Sequence, residues 1–247
     1  MEYNPFSLKN KTIFVTGASS GLGISIAEEC SKMGASVIIT GRNKERLNDT
    51  FKKLTGSNNF QIIADLVNKD DIAMLANTLP ILDGIVLNAG MIKTTPAKHI
   101  TEEEMLEIFQ TNILSSIQLI QKLLKMKKIK NGGSIVFISS ISTLHVKIGN
   151  SLYSATKGAI NSFAKVLALE LTTKKIRVNC IQPGFIKSRI LDAGVISKEQ
   201  LEEHFKIYPM GIGKPTDISY ACVYLLSNAA EWVTGSIFTI DGGVTLK

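Results

Sequence analysis

Residues 13–23 read IFVTGASSGLG. The apolar run 12–16, TIFVT, leads into three glycines, Gly17, Gly21 and Gly23. Leu22, Ile26, Cys30 and Met33 then recur at helical spacing. A strand that turns through glycines into a helix is the context in which backbone N–H groups meet a phosphate. Glycine lets the main chain approach such a ligand. The helix N-terminus offers free N–H groups and the positive end of its dipole. Ser19 and Ser20 add hydroxyl donors to the same turn.

Outward from this turn the alternation continues. Short β-branched runs lie at 12–16, 36–40, 60–63, 84–88, 134–139, 177–182 and 236–240. Helical patterns occupy 22–33, 43–54, 68–78, 102–126, 151–173 and 215–227. Continuous apolar strands separated by helices predict an α/β fold: a doubly wound parallel sheet of about seven strands with helices on both faces, of Rossmann type. No linker or repeat divides residues 1–247, so a single domain is expected. Residues 184–214, after Pro183-Gly184, carry no clear pattern.

Composition narrows the function classes. The chain has 247 residues, 45% hydrophobic and 20% charged, an ordinary soluble profile. The N-terminal MEYNPFSLKN lacks the apolar core of a signal peptide, and no apolar run is long enough to cross a bilayer. Cys30, Cys180 and Cys222 are odd in number and widely spaced, which predicts neither disulfides nor a zinc site. A cytoplasmic protein without a membrane partner is expected. The net charge of +7 is concentrated in KLLKMKKIKNGG, 122–133, read as a helix end before Gly132 and Gly133. No aromatic residues interleave with those lysines, so no nucleic-acid partner is expected. His99, His145 and His204 do not cluster, and no metal is expected. Trp232 is read as core or interface.

The glycine spacing is G-x-x-x-G-x-G rather than G-x-G-x-x-G. An NAD site of the latter kind places an acid near the end of the second strand, against the ribose 2′-hydroxyl. Here that strand ends IITGRN, with Gly41 at the acid's position and Arg42 after it. A guanidinium fork pairs with phosphate, so the expected cofactor is NADP(H), with NAD(H) as the alternative.

Residues 151–158 read SLYSATKG. Tyr153 and Lys157 are four apart and share a helix face. An ammonium near a phenol favours the phenolate, which makes the pair a usable general acid and base.

Together these features resemble the short-chain dehydrogenase/reductase family, classical type, over nearly the full chain, and are similar to its 3-oxoacyl-acyl-carrier-protein reductase-like members. TGASSGLG carries that family's glycine spacing, so Gly17, Ser19, Ser20, Gly21, Leu22 and Gly23 are implied in cofactor binding. Asp65 and Leu66 in ADL, and Asn88, Ala89 and Gly90 in NAG, are implied on the adenosine side. Asn112, Ser140, Tyr153 and Lys157 match the catalytic set. Pro183, Gly184, Ile186 and Ser188 in QPGFIKS match the segment at the nicotinamide end, which Tyr153 and Lys157 also border. Leu87 stands where the family usually has asparagine.

The resemblance implies hydride transfer between nicotinamide and a carbonyl or secondary alcohol carbon. Tyr153 would exchange the proton and Ser140 would bind the carbonyl oxygen. Lys157 would lower the phenol's pKa and hold the ribose, and Asn112 would hold a water. The substrate is expected to be a small carbonyl or alcohol compound, 3-oxoacyl thioesters on an acyl carrier protein included. Its recognition is assigned to 141–152 and to a lid at 185–212. His145, between Ser140 and Tyr153, either lines the substrate mouth or is solvated. A homotetramer, or a dimer, built on 102–126 and 151–173 is implied. The alternatives are an NAD-dependent alcohol or hydroxysteroid-type dehydrogenase and a non-catalytic NADP-sensing scaffold.

Overall fold

The computed structural model describes residues 3–187 and 206–246. Seven strands form one parallel sheet: β1 (Thr12–Thr16), β2 (Ser36–Gly41), β3 (Phe60–Ile63), β4 (Leu82–Leu87), β5 (Ile129–Ile138), β6 (Arg177–Pro183) and β7 (Ile237–Ile240). Their order across the sheet is β3-β2-β1-β4-β5-β6-β7. The chain winds outward from β1 to β3, returns to lay β4 beside β1, then winds outward the other way. The reversal between β1 and β4 opens a crevice at the carboxyl ends of the strands, the place where such sheets bind ligands.

Alternate side chains of each strand serve opposite faces. Phe14, Ile85, Leu87, Ile135 and Phe137 join one core cluster. Ile13, Val15, Val86 and Val136 join the other. The first cluster is covered by α3 (Lys69–Thr78), α5 (Ser115–Lys125) and α6 (Ser151–Glu170). The second is covered by α1 (Gly21–Lys32) and α7 (Pro215–Leu226). Burial on both sides is why the strands read as unbroken apolar runs. Leu87, where the family pattern has asparagine, is core. The remaining helix α2 (Lys44–Phe51) starts at Asn43, whose side chain accepts from Arg46 N.

Four expectations are corrected. Residues 102–126 are not one regular helix. Helix α4 (Glu102–Phe109), closed at its start by the Thr101–Glu104 capping box, gives way to a π-turn over Gln110–Leu114 before α5 begins. β5 starts at Ile129 rather than 134, because Ile129 pairs with Leu82 ahead of a register shift. The lysine run is therefore split. Lys122 and Lys125 lie in the last turn of α5, whereas Gly132, at φ 80°, sits inside a strand irregularity and caps no helix. Lys128 instead donates to the Leu79 carbonyl at the end of α3 (2.5 Å). Trp232 is 100% exposed and is not core.

Of the expected lid, Ser188, Ile190, Leu191, Val195, Leu201 and Phe205 lie outside the described residues, as does His204. No helix among the described residues is long and apolar enough to cross a membrane.

Candidate active site

The glycine turn is held by the end of β4. Thr16 Oγ1 accepts from the N–H of Asn88 (3.0 Å) and of Ala89 (3.1 Å). The Asn88 amide donates to the carbonyls of Thr16 and Gly17, both at 3.2 Å. The Asn88 side chain is thus spent on holding the turn. Gly17 has φ 65°, and a Cβ there would come within 2.8 Å of Ala89 Cα. A Cβ on Gly23 would collide with the Gly17 carbonyl oxygen. Neither position admits another residue. Gly21, at φ 56°, faces open space instead. Ser20 makes no side-chain cap and the first turn of α1 holds no acid, which leaves the helix N–H groups to an anion. These residues fit a pyrophosphate. Leu22 and Leu66 pack into the two cores, so only their main chains are left to meet a ligand.

At the end of β2 a Cβ on Gly41 would lie 2.9 Å from Ser19 Oγ. A side chain at this position would have to displace the Ser19 hydroxyl. Arg42 is exposed beside it, with Nη1 3.7 Å from Asp65 Oδ2. Asp65 Oδ1 also accepts from Val67 N at 3.1 Å.

The second half of the site lies beyond β5. Ser140 caps a short 3-10 turn over Ile141–Thr143, its Oγ accepting from Ser142 N at 3.1 Å. It lies near enough to Tyr153 to lower the phenol's pKa. Lys157 is only 4% exposed. Its Nζ donates to the Ile138 carbonyl at 2.8 Å and lies 5.7 Å from the Tyr153 ring centroid. Asn112, wholly buried in the π-turn, accepts from Met91 N (2.7 Å) and donates to Met91 O (2.9 Å) and to Thr156 Oγ1 (3.1 Å). A Cβ on Gly90 would lie 3.2 Å from Asn112 Oδ1 and 3.6 Å from Lys157 Nζ. The structure therefore brings Gly90, Asn112 and Lys157 together, and Ser140 with Tyr153. Pro183 ends β6, and Gly184 passes so close to Asp241 that a Cβ would come within 2.8 Å of its Cα. Ile186 forms a parallel bridge with Gly213. Ser188 lies outside the described residues.

Burial decides the electrostatics. It raises the Tyr153 phenol above its ordinary 10.0, and Ser140 opposes the rise. It pushes Lys157 down to about 8, against a raising contribution from Cys180. In the protein by itself the phenol is thus not acidified: desolvation leads, and the group opposing it is the serine rather than the lysine. A cavity of about 370 Å³ adjoins the start of α6, lined by Pro96, Ala97, Val146, Lys147, Ile148 and Ser154 among others. Burial lowers the Lys147 ammonium. The sequence reading passed over Thr16 and Thr156. Both partner residues far away in the chain, and nothing local marks them.

The comparisons bear on this geometry. A family described as Enoyl-(Acyl carrier protein) reductase matches residues 17–245. The 3-oxoacyl-[acyl-carrier-protein] reductase FabG of Rickettsia prowazekii is 34% identical over 241 residues, 97% of this chain and 98% of that protein. A solved short chain dehydrogenase/reductase family protein superposes with TM-score 0.88 at 30% identity, over 98% of this chain and 100% of the other. A structure with bound NADP, assigned as 2-deoxy-D-gluconate 3-dehydrogenase of Agrobacterium tumefaciens, gives TM-score 0.87 at 30% identity, over 99% and 100%. With its glycine turn, its seven-stranded sheet and a serine, tyrosine and lysine gathered at the strand ends, the chain belongs to the short-chain dehydrogenase/reductase family and is an oxidoreductase of that family.

Proposed function

We propose that the protein is an NADP(H)-dependent oxidoreductase interconverting a carbonyl group and a secondary alcohol, with Tyr153 as general acid and base. The observation that carries this is a buried lysine 5.7 Å from the Tyr153 ring, at the strand ends that also carry Ser140 and a turn shaped for pyrophosphate. The nicotinamide, when bound, supplies or accepts the hydride. In reduction the Tyr153 phenol gives its proton to the developing alkoxide. Ser140 donates to the same oxygen and stabilises its charge. Lys157, held on the Ile138 carbonyl, presents its ammonium to the Tyr153 ring. Asn112 holds Met91 against α6, since its amide is fully engaged there. Arg42 and Ser19 receive the 2′-phosphate, which favours NADP(H) over NAD(H).

The substrate class is ketones and 3-oxoacyl thioesters. The name of the Rickettsia relative and the largely apolar cavity beside α6 support it. Exposed Met105 and Leu106 on α4 and Val166 and Leu169 on α6 support a homotetramer packed through these helices. Three buried free thiols accord with a reducing compartment, the cytoplasm.

The test is a panel of ketones and 3-oxoacyl thioesters assayed with NADPH, in wild type and in Tyr153→Phe. Turnover of at least one compound is expected. The variant should lose roughly 10²-fold or more in kcat, with NADPH affinity kept within about twofold. Full turnover by the variant overturns the role of Tyr153. Silence across the panel, with NADPH bound tightly, supports the sensor instead.

A further inference from the structure

Gln182 is the next-to-last residue of β6 and only 3% exposed. A primary amide buried this far needs partners for its donors and its acceptor. Nε2 donates to Thr143 Oγ1 at 2.6 Å and to the Ser140 carbonyl at 3.3 Å. Oε1 accepts from Thr239 Oγ1 at 3.4 Å, across the register pair formed by Gln182 and Thr239. Thr143, accepting from Gln182, donates its own hydroxyl hydrogen bond to the Ser140 carbonyl at 3.2 Å. Two donors therefore converge on the carbonyl of Ser140: Gln182 from the sheet, and Thr143 from the turn that Gln182 holds.

On the other side of Ser140, its Oγ accepts from Ser142 N at 3.1 Å, which fixes one lone pair and leaves the hydroxyl proton to be donated into the site. Turning the peptide that follows Ser140 would carry Ser142 N away and free the hydroxyl to rotate. The amide bonds to that same peptide's oxygen oppose the turn. Fully satisfied networks of this kind hold one conformation.

We propose that Gln182 is a positioning residue for Ser140: it locks the Ser140 peptide so that the hydroxyl stays beside Tyr153 and aimed at the reacting carbonyl. This rests on the assignment of Ser140 and Tyr153 given above. The rival role is plain packing between β6 and β7.

Gln182→Leu keeps the bulk and removes the hydrogen bonds. With NADPH and acetoacetyl-CoA as the probe, its kcat should fall roughly tenfold, as a small misplacement of a catalytic group does. The thioester KM and the NADPH Kd should stay within about twofold. In a Ser140→Ala background the same change should cost less than about twofold, because the group it positions is gone. An assay independent of turnover is ultraviolet titration of the Tyr153 phenol, read as the difference from Tyr153→Phe. Gln182→Leu should move that titration to higher pH when Ser140 is present and leave it in place when it is absent. An equal penalty with and without Ser140, or an unmoved phenol titration, overturns the proposal. If Ser140→Ala and Tyr153→Phe both retain full turnover, the catalytic assignment fails instead. If they lose turnover and Gln182→Leu does not, only the role of Gln182 fails.

Discussion

The Lys157 ammonium lies 5.7 Å from the centre of the Tyr153 ring and is tied to the Ile138 carbonyl at 2.8 Å. It is 4% exposed, and burial brings it down to about 8. One helical turn sets the spacing of the two residues. The closed environment around them sets their charge.

That environment yields a pH dependence. Tyr153, raised above 10.0, stays protonated at neutral pH and is ready to act as an acid in reduction. The ammonium stabilises the phenolate as it forms, and this help is lost as pH rises through about 8. Reductive kcat/KM should therefore be flat at lower pH and decline through that point, while the oxidative rate climbs with pH. Lys157→Met should lower kcat roughly 10²-fold and abolish the step near pH 8. A step that persists in the variant assigns it to another group.

Arg42→Ala should weaken NADPH binding by roughly 10- to 100-fold, the scale of one charge-assisted hydrogen bond to phosphate, and leave NADH within about twofold. Gly41→Asp should weaken NADPH as well and gain little for NADH, because its Cβ would stand 2.9 Å from Ser19 Oγ. Fluorescence titration with both cofactors measures these effects. Equal losses for the two would remove the 2′-phosphate from this position.

Asn112→Ala should cost roughly 3 kcal/mol, since it removes three hydrogen bonds of a wholly buried amide, from Met91 N, to Met91 O and to Thr156 Oγ1. For a domain of this size the melting temperature should drop by about 6–12 °C. Activity should fall with it, because segment 90–91 borders Lys157. A melt unchanged from wild type would show that the π-turn needs no side-chain tie.

Val166→Glu combined with Leu169→Glu puts two charges on the exposed face of α6. If copies pack through α6 as proposed, analytical ultracentrifugation should show smaller species for the variant than for wild type, with the circular dichroism of the fold kept. An unshifted assembly would place the contact on another face.

The sequence alone determined the alternation of strand and helix, the place of the glycine turn, and the pairing of Tyr153 with Lys157 on one helix face. Each of these is written in residues a few positions apart: apolar runs, three glycines, a four-residue spacing. It did not show the π-turn at Asn112, since the apolar pattern there is continuous and only Met91 and Thr156 explain the extra residue in the turn. It placed the start of β5 too late, because the lysine-rich stretch joins the sheet only through pairing with Leu82. The absence of an acid at Gly41 was legible, but the Ser19 hydroxyl brought beside it from the next strand end was not. The direction of the Tyr153 shift was misjudged from spacing, which places a charge near a phenol but cannot count the water removed from both. Tertiary structure decided that point, because desolvation and hydrogen bonding depend on segments tens of residues apart in the chain.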